Sequence, residues 1–162
     1  MKSKIFLSQI NEMFRVDQAL RFEAKNVKKP AQKSIGIFNY MVYLADGLHN
    51  YRIKGLIRVH GYPSNKTIGK EGMHKFWLLI QHQDQDIPLQ KQCFKRCVFS
   101  PVDAAYLEDR ILLNDGKKQI YGTQFTGKFD RNGHPVLRPV EDIGNLNKRR
   151  KDVDLEPLPL KA

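Results

Sequence analysis

The sequence predicts a mainly helical α+β fold: about five packed helices, then a C-terminal β-hairpin and a short terminal helix. Three observations carry this. Apolar residues recur at three- and four-residue spacings through roughly the first 115 positions. The period then shortens to two, around the strong turn signal Asp130-Arg131-Asn132-Gly133. The chain has 162 residues, 41% of them hydrophobic, which suits one globular domain with one core.

The first helix is expected over residues 4–24, with Phe6, Ile10, Met13, Phe14 and Leu20 as its apolar positions. Asp17 and Arg21 stand four apart and so share a face. Asn26 to Pro30 breaks the pattern, and Lys33 to Gly36 reads as a basic loop. A second helical region covers about 36–59, with Ile37, Tyr40, Met41, Leu44, Leu48, Ile53, Leu56 and Ile57 as its apolar set. Asp46-Gly47 is a candidate interruption, Asp46 serving as a new N-cap. Gly61 and Pro63 end this region.

A third helix is expected from Lys70 to Gln83, burying Met73, Phe76, Trp77 and Ile80. A fourth follows over 87–98, capped by Asp86 with Pro88 in its first turn. The fifth is the best marked: Ser100-Pro101-Val102-Asp103 offers an N-cap, a first-turn proline and an early acid, and Asn114-Asp115-Gly116 closes it. Gln119 to Phe125 and Pro135 to Val140 read as the strands of a hairpin region spanning about 118–141. An isolated hairpin is marginal in water, so this one is expected to pack on the helices. A short helix near 145–152 and a proline-rich tail over 153–162 complete the chain.

Twenty-eight Lys and Arg face seventeen Asp and Glu, a formal charge of +11. The surplus is concentrated: residues 25–96 hold thirteen basic and four acidic residues. A second basic run is Lys148-Arg149-Arg150-Lys151. Such a field attracts an anionic small molecule or nucleic acid, and a solubilising surface explains it equally. No apolar run reaches the length of a membrane span, so no membrane partner is expected. Met1 to Leu7 begins like a signal peptide, but Gln9, Asn11, Glu12 and Arg15 end the apolar stretch. A cytoplasmic protein is expected, signal-less export remaining open. Cys93 and Cys97 read as a reduced core pair.

Polar residues suited to chemistry gather where elements end. His60-Gly61-Tyr62-Pro63 closes the second helical region, Gln81-His82-Gln83-Asp84 the third, and Gln119-Ile120-Tyr121-Gly122-Thr123-Gln124 opens the hairpin. Asp109-Arg110, Pro139-Val140-Glu141-Asp142 and Arg149-Arg150 follow the same order along the chain, and Asp17-Gln18 with Arg21 precedes them. This series resembles a mostly bacterial family of domains of unknown function, marked by an HGWP-like turn, a helix ending in QHAD, a YGTQ segment and a closing ED…RR stretch. The departures are Tyr62 for the tryptophan and Gln83 for the alanine. The resemblance implies positions to test and no reaction.

His82 is the leading general acid–base candidate, because imidazole titrates near neutrality. Asp84 and His60 are the other catalytic candidates. Asp84 stands two residues from His82 and so points elsewhere on a continuing helix, whereas Asp86 faces His82 if the helix persists. His49, His74 and His134 lack motif context and read as surface or packing residues. Gln81, Tyr121, Thr123, Gln124, Arg149, Arg150, Asp17 and Arg21 are the candidate substrate-binding residues. His82 and Tyr121 are expected to line one concave site. There is no GxSxG elbow, Walker loop, Rossmann glycine pattern or HExxH. His60, His82 and Asp84 lack the i, i+4 spacing of a helical metal pair, so no metal site is assigned and the cofactor stays open. Two function classes remain: a small hydrolase or transferase using a His/Asp site on an anionic substrate, or a non-catalytic basic module for nucleic acid or an acidic protein.

Overall fold

The computed structural model describes residues 2–26 and 36–159. Its elements are α1 (Lys2–Asn26), α2 (Ile37–His60), α3 (Asn65–Gln81), α4 (Ile87–Arg96), α5 (Pro101–Asn114), β1 (Phe125–Phe129), β2 (Pro135–Leu137), a 3-10 turn (Ile143–Asn145) and α6 (Leu146–Asp152). The mainly helical fold with a C-terminal antiparallel hairpin and a short last helix is as the sequence predicts. Apart from Gly36, the expected basic loop at Lys33 to Gly36 lies outside the described residues. None of the described helices is long and apolar enough to cross a membrane.

α1 packs mainly against α2 and α3, while α5 packs against α3 and α4. One apolar cluster runs through α1 to α5, with Phe6, Ile10 and Met13 of α1 and Phe76, Leu79 and Ile80 of α3 in it. Trp77 seals one side, stacked on His74 and meeting Tyr106 edge-on. Cys93 and Cys97 are free thiols buried in the same core.

The helix signals act as expected at α4 and α5. The carboxylate of Asp86 accepts from Leu89 N at 3.0 Å, and the hydroxyl of Ser100 accepts from Asp103 N at 3.1 Å. Both are N-cap bonds that satisfy an otherwise orphaned amide. α3 begins five residues before the expected Lys70, because Ser64 N donates to Thr67 Oγ1 at 2.8 Å and starts the helix there. Gly69, at φ +73°, then kinks it.

α2 departs from expectation twice. It runs unbroken through Asp46-Gly47, because the Asp46 side chain turns inward to Arg21 instead of capping a new helix. Its apolar residues do not all form a core stripe either. Ile37, Tyr40, Met41, Leu44 and Leu48 are exposed, and the buried positions are His49 and Ile53.

The hairpin also differs. Its first strand starts at Phe125, because Gln119 to Gln124 is held irregularly by side-chain bonds, meeting the far strand region at the Gln119–Val140 bridge and at Arg138, whose N donates to Gln124 O and whose O accepts from the Gln119 side chain. The turn at Asp130 to Gly133 forms as expected, with Asn132 N and His134 N donating to Asp130 Oδ1. Every residue of β1 is exposed, so the expected packing of this hairpin on the helices is not found. Its base is tethered instead: Gln119 N donates to Pro139 O and Glu141 N to Gln119 O.

Candidate functional site

The apolar stripe of α1 runs Phe6, Ile10, Met13, and the next position on that face is Asp17. A carboxylate thus occupies a core position and is only 2% exposed. Its Oδ1 contacts His82 Nδ1 at 3.0 Å and accepts from Arg21 Nε at 2.9 Å, while Oδ2 accepts from Gln18 at 2.8 Å. His82 is the C-cap of α3, so the end of that helix presents its ring to α1. Across from α1, α2 contributes Asp46, which accepts from the other arm of Arg21 at 2.7 Å. One turn on stands His49, 2% exposed, with a ring nitrogen within 4.8 Å of carboxylate oxygens of both Asp17 and Asp46. His49 Nδ1 is buried with no hydrogen-bond partner.

The charges in this cluster oppose one another. Burial works against ionising Asp17, yet the hydrogen bonds and charges of His82 and Arg21 outweigh it and hold the carboxyl below its ordinary value. For Asp46 burial wins over Arg21, and its carboxyl is pushed up. Burial likewise pushes His49 down, favouring the neutral ring, against the attraction of Asp17. The Nδ1 edge of His82 faces Asp17. Its Nε2 makes no hydrogen bond among the described residues and is not sealed in, which leaves that nitrogen available to a ligand. A carboxylate behind one imidazole nitrogen and an open second nitrogen is the arrangement proton transfer requires.

Other predicted site residues lie in other networks. Asp84 is paired with Arg110 at 2.7 Å, and Asp86 caps α4 while accepting from Lys54 and Asn50, so neither serves His82. His60 meets the Phe6 ring edge-on and lines a cavity of about 50 Å³ with Ser3, Tyr62 and Thr67. The main chain of Gln81 accepts from the buried Gln90 side chain, joining α3 to α4.

The YGTQ and RR residues form a network of their own. Asp109 of α5, fully buried, accepts from Ile120 N, Tyr121 N, Thr123 N and Thr123 Oγ1 at 2.7–2.9 Å. The Gln119 side chain accepts from Gln124 N and donates to Gln124 O, and the Gln124 amide reaches Thr123 Oγ1. Arg149 donates to Ile120 O and Asp142 O, and Arg150 to Tyr121 O and Glu156 O. The Tyr121 hydroxyl is engaged by Glu108, and burial first, then that carboxylate, pushes the phenol up. No hydrogen bond or ion pair among the described residues joins this network to His82. Thus Asp17, Arg21 and His82 converge, while Tyr121, Thr123, Gln124, Arg149 and Arg150 converge elsewhere.

A family model matches residues 6–161, nearly the whole chain. The chain belongs to this family, the family of unknown function DUF6624. No curated protein and no solved structure matches it. Membership agrees with the resemblance read from the motif order, and both of the networks above fall inside the matched DUF6624 region.

Sequence reasoning missed Asp46, taken for a helix cap, and His49, taken for a surface or packing residue. A signal for each was present. Asp46, His49 and Ile53 follow i, i+3, i+7 spacing on α2, the mark of one face turned to α1.

Proposed function

We propose that this chain is a small hydrolase or transferase in which His82 is the general base and acid, oriented by Asp17. The observation that carries the reading is the 3.0 Å contact between His82 Nδ1 and the buried Asp17 carboxylate. The neighbour selects the tautomer: the proton sits on Nδ1 and leaves the Nε2 lone pair free. Nε2 takes a proton from the attacking water or acceptor hydroxyl as the new bond forms. Asp17 stabilises the resulting imidazolium, and Nε2 then returns the proton to the leaving group. Water as nucleophile makes the chain a hydrolase, and an acceptor hydroxyl makes it a transferase. The basic surplus over residues 25–96 supports an anionic substrate.

The test is turnover of phosphomonoesters, phosphodiesters and anionic carboxylic esters by wild type and His82→Ala. The expected result is hydrolysis of one class, reduced on the order of 10²–10⁴-fold in the variant. Equal turnover by a folded His82→Ala protein overturns the assignment.

A further inference from the structure

We propose that Asp17, Asp46 and His49 bind one first-row divalent transition-metal cation, for which Arg21 is the built-in competitor. The inference deepens the reading above, because the cation would serve the same cluster, and it rests on that reading only for the chemical use of the cation.

His49 is the first argument. An imidazole needs a partner for its N–H and another for its lone pair. This ring is 2% exposed, its Nδ1 is sealed from solvent, and neither nitrogen makes a hydrogen bond among the described residues. Burying a polar group unpaired is unfavourable, and such a group in a folded protein calls for an explanation. Asp17 and Asp46 bring carboxylate oxygens within 4.8 Å of a ring nitrogen, and the charges of Arg52, Arg21 and Glu12 also act on the ring. No hydrogen bond joins the ring to either carboxylate among the described residues, and three donor atoms gathered within 4.8 Å suit groups that meet through an ion. Nitrogen and oxygen ligands each about 2.1 Å from one metal stand roughly 3–4 Å apart, so a small closing of the triangle completes the set.

The donor types set the class of ion. One imidazole with two carboxylates is a mixed nitrogen–oxygen set, which suits manganese, iron or zinc better than calcium or magnesium, whose ligands are oxygens throughout. Three protein ligands leave coordination positions for water or substrate. An outer shell is already in place, since Gln18 and His82 bond the Asp17 oxygens and fix that carboxylate. Arg21 bonds Oδ1 of both Asp17 and Asp46 and so supplies positive charge between them. Its side chain is 26% exposed, which lets it swing outward when a divalent ion takes over that task.

The experiment is calorimetric titration of the chelator-treated full chain with zinc chloride and with manganese chloride. Wild type is expected to bind one ion per chain. His49→Ala and Asp46→Asn, checked for an intact fold by circular dichroism, should bind at least about tenfold more weakly. Arg21→Ala should bind more tightly, and His82→Ala, which loses a bond to Asp17 but no ligand, should weaken binding less than His49→Ala does. The proposal is overturned if neither ion binds at one per chain. It is also overturned if folded His49→Ala and Asp46→Asn bind as wild type does, which places the ion elsewhere. Weaker binding by Arg21→Ala contradicts the competitor role. The readout is binding, so the absence of metal binding beside turnover that depends on His82 would sink this inference and leave the catalytic one standing. Metal binding without turnover would do the reverse.

Discussion

The polar network around Asp109 and the one around Asp17 both centre on a buried aspartate, and they differ in how far their bonding capacity is filled. Asp109 accepts from four donors, three of them main-chain amides. Arg150 places its donors on main-chain oxygens of Tyr121, Gly122 and Glu156. That network fastens a segment with almost no regular structure to the end of α5, and its side chains are spent on holding backbone. The Asp17 network holds little backbone. It gathers two carboxylates, two imidazoles and a guanidinium from three helices, leaves His49 unpaired and leaves one nitrogen of His82 open. Saturated polar networks rigidify a fold, whereas an incompletely paired one is a place where a ligand has something to gain. The difference teaches that motif residues of the same chemical type divide into a lock and a site.

The sharpest way to break this comparison is Asp109→Ala. It strands three amides and a hydroxyl at the base of the hairpin. The expected loss is about 3–5 kcal/mol in urea denaturation, with early proteolysis after residue 118. A loss under 1 kcal/mol would show that the C-terminal segment is not fastened there.

Gly122→Ala should come next, at about 2–4 kcal/mol by the same measurement, from backbone strain plus overpacking. Gly122 sits at φ +64°, and an added Cβ would stand 3.1 Å from Leu146. A neutral result would mean that the YGTQ segment yields more readily than its bonding suggests.

Asp86→Asn gives the smallest of these effects and carries a pH signature. Burial opposes ionisation of Asp86, but Lys54, Asn50 and the Leu89 amide prevail and hold its carboxyl below the ordinary value. A depressed folded value stabilises above the unfolded carboxylate value and is lost as pH falls through the folded one. Asparagine still caps, so the difference isolates the charge. It should be about 0.5–1 kcal/mol at pH 7, discounted because Lys54 is more than half exposed, should begin to narrow near the ordinary carboxylate value of about 4, and should close as pH falls through the lower folded value. A gap as large at pH 3 as at pH 7 would show that charge is not its source.

Much of the fold was legible because its signals are local. Ser100, Pro101 and Asp103 start a helix through bonds to their own neighbours, and Asp130 to Gly133 turns the chain the same way. The strand start was not legible. Gln119 to Gln124 alternates like a strand, but a carboxylate ten residues upstream takes its amides, and spacing does not reveal that competition. The site was half legible. His82, Asp17 and Arg21 stood out as chemical types at motif positions. Asp46 and His49 were hidden because the first half of α2 carries its apolar residues outward, and only Ile53, Leu56 and Ile57 further on meet the core, which inverts the usual reading of an amphipathic helix there. The partner of His82 was misjudged for a related reason. Asp86 is near in sequence and faces His82 only on a continuing helix, whereas Asp17 is brought close by the packing of α1 on α3.

The central claim is that the Asp17 cluster is kept for what it does and the Asp109 network for what it holds. The direct measurement is equilibrium urea denaturation of His49→Leu against wild type, with chelator present. Leucine nearly preserves the volume and removes the unpaired nitrogens, so the account predicts a gain of about 1 kcal/mol. A loss of 1 kcal/mol or more, as expected of a histidine that the fold needs, would contradict it.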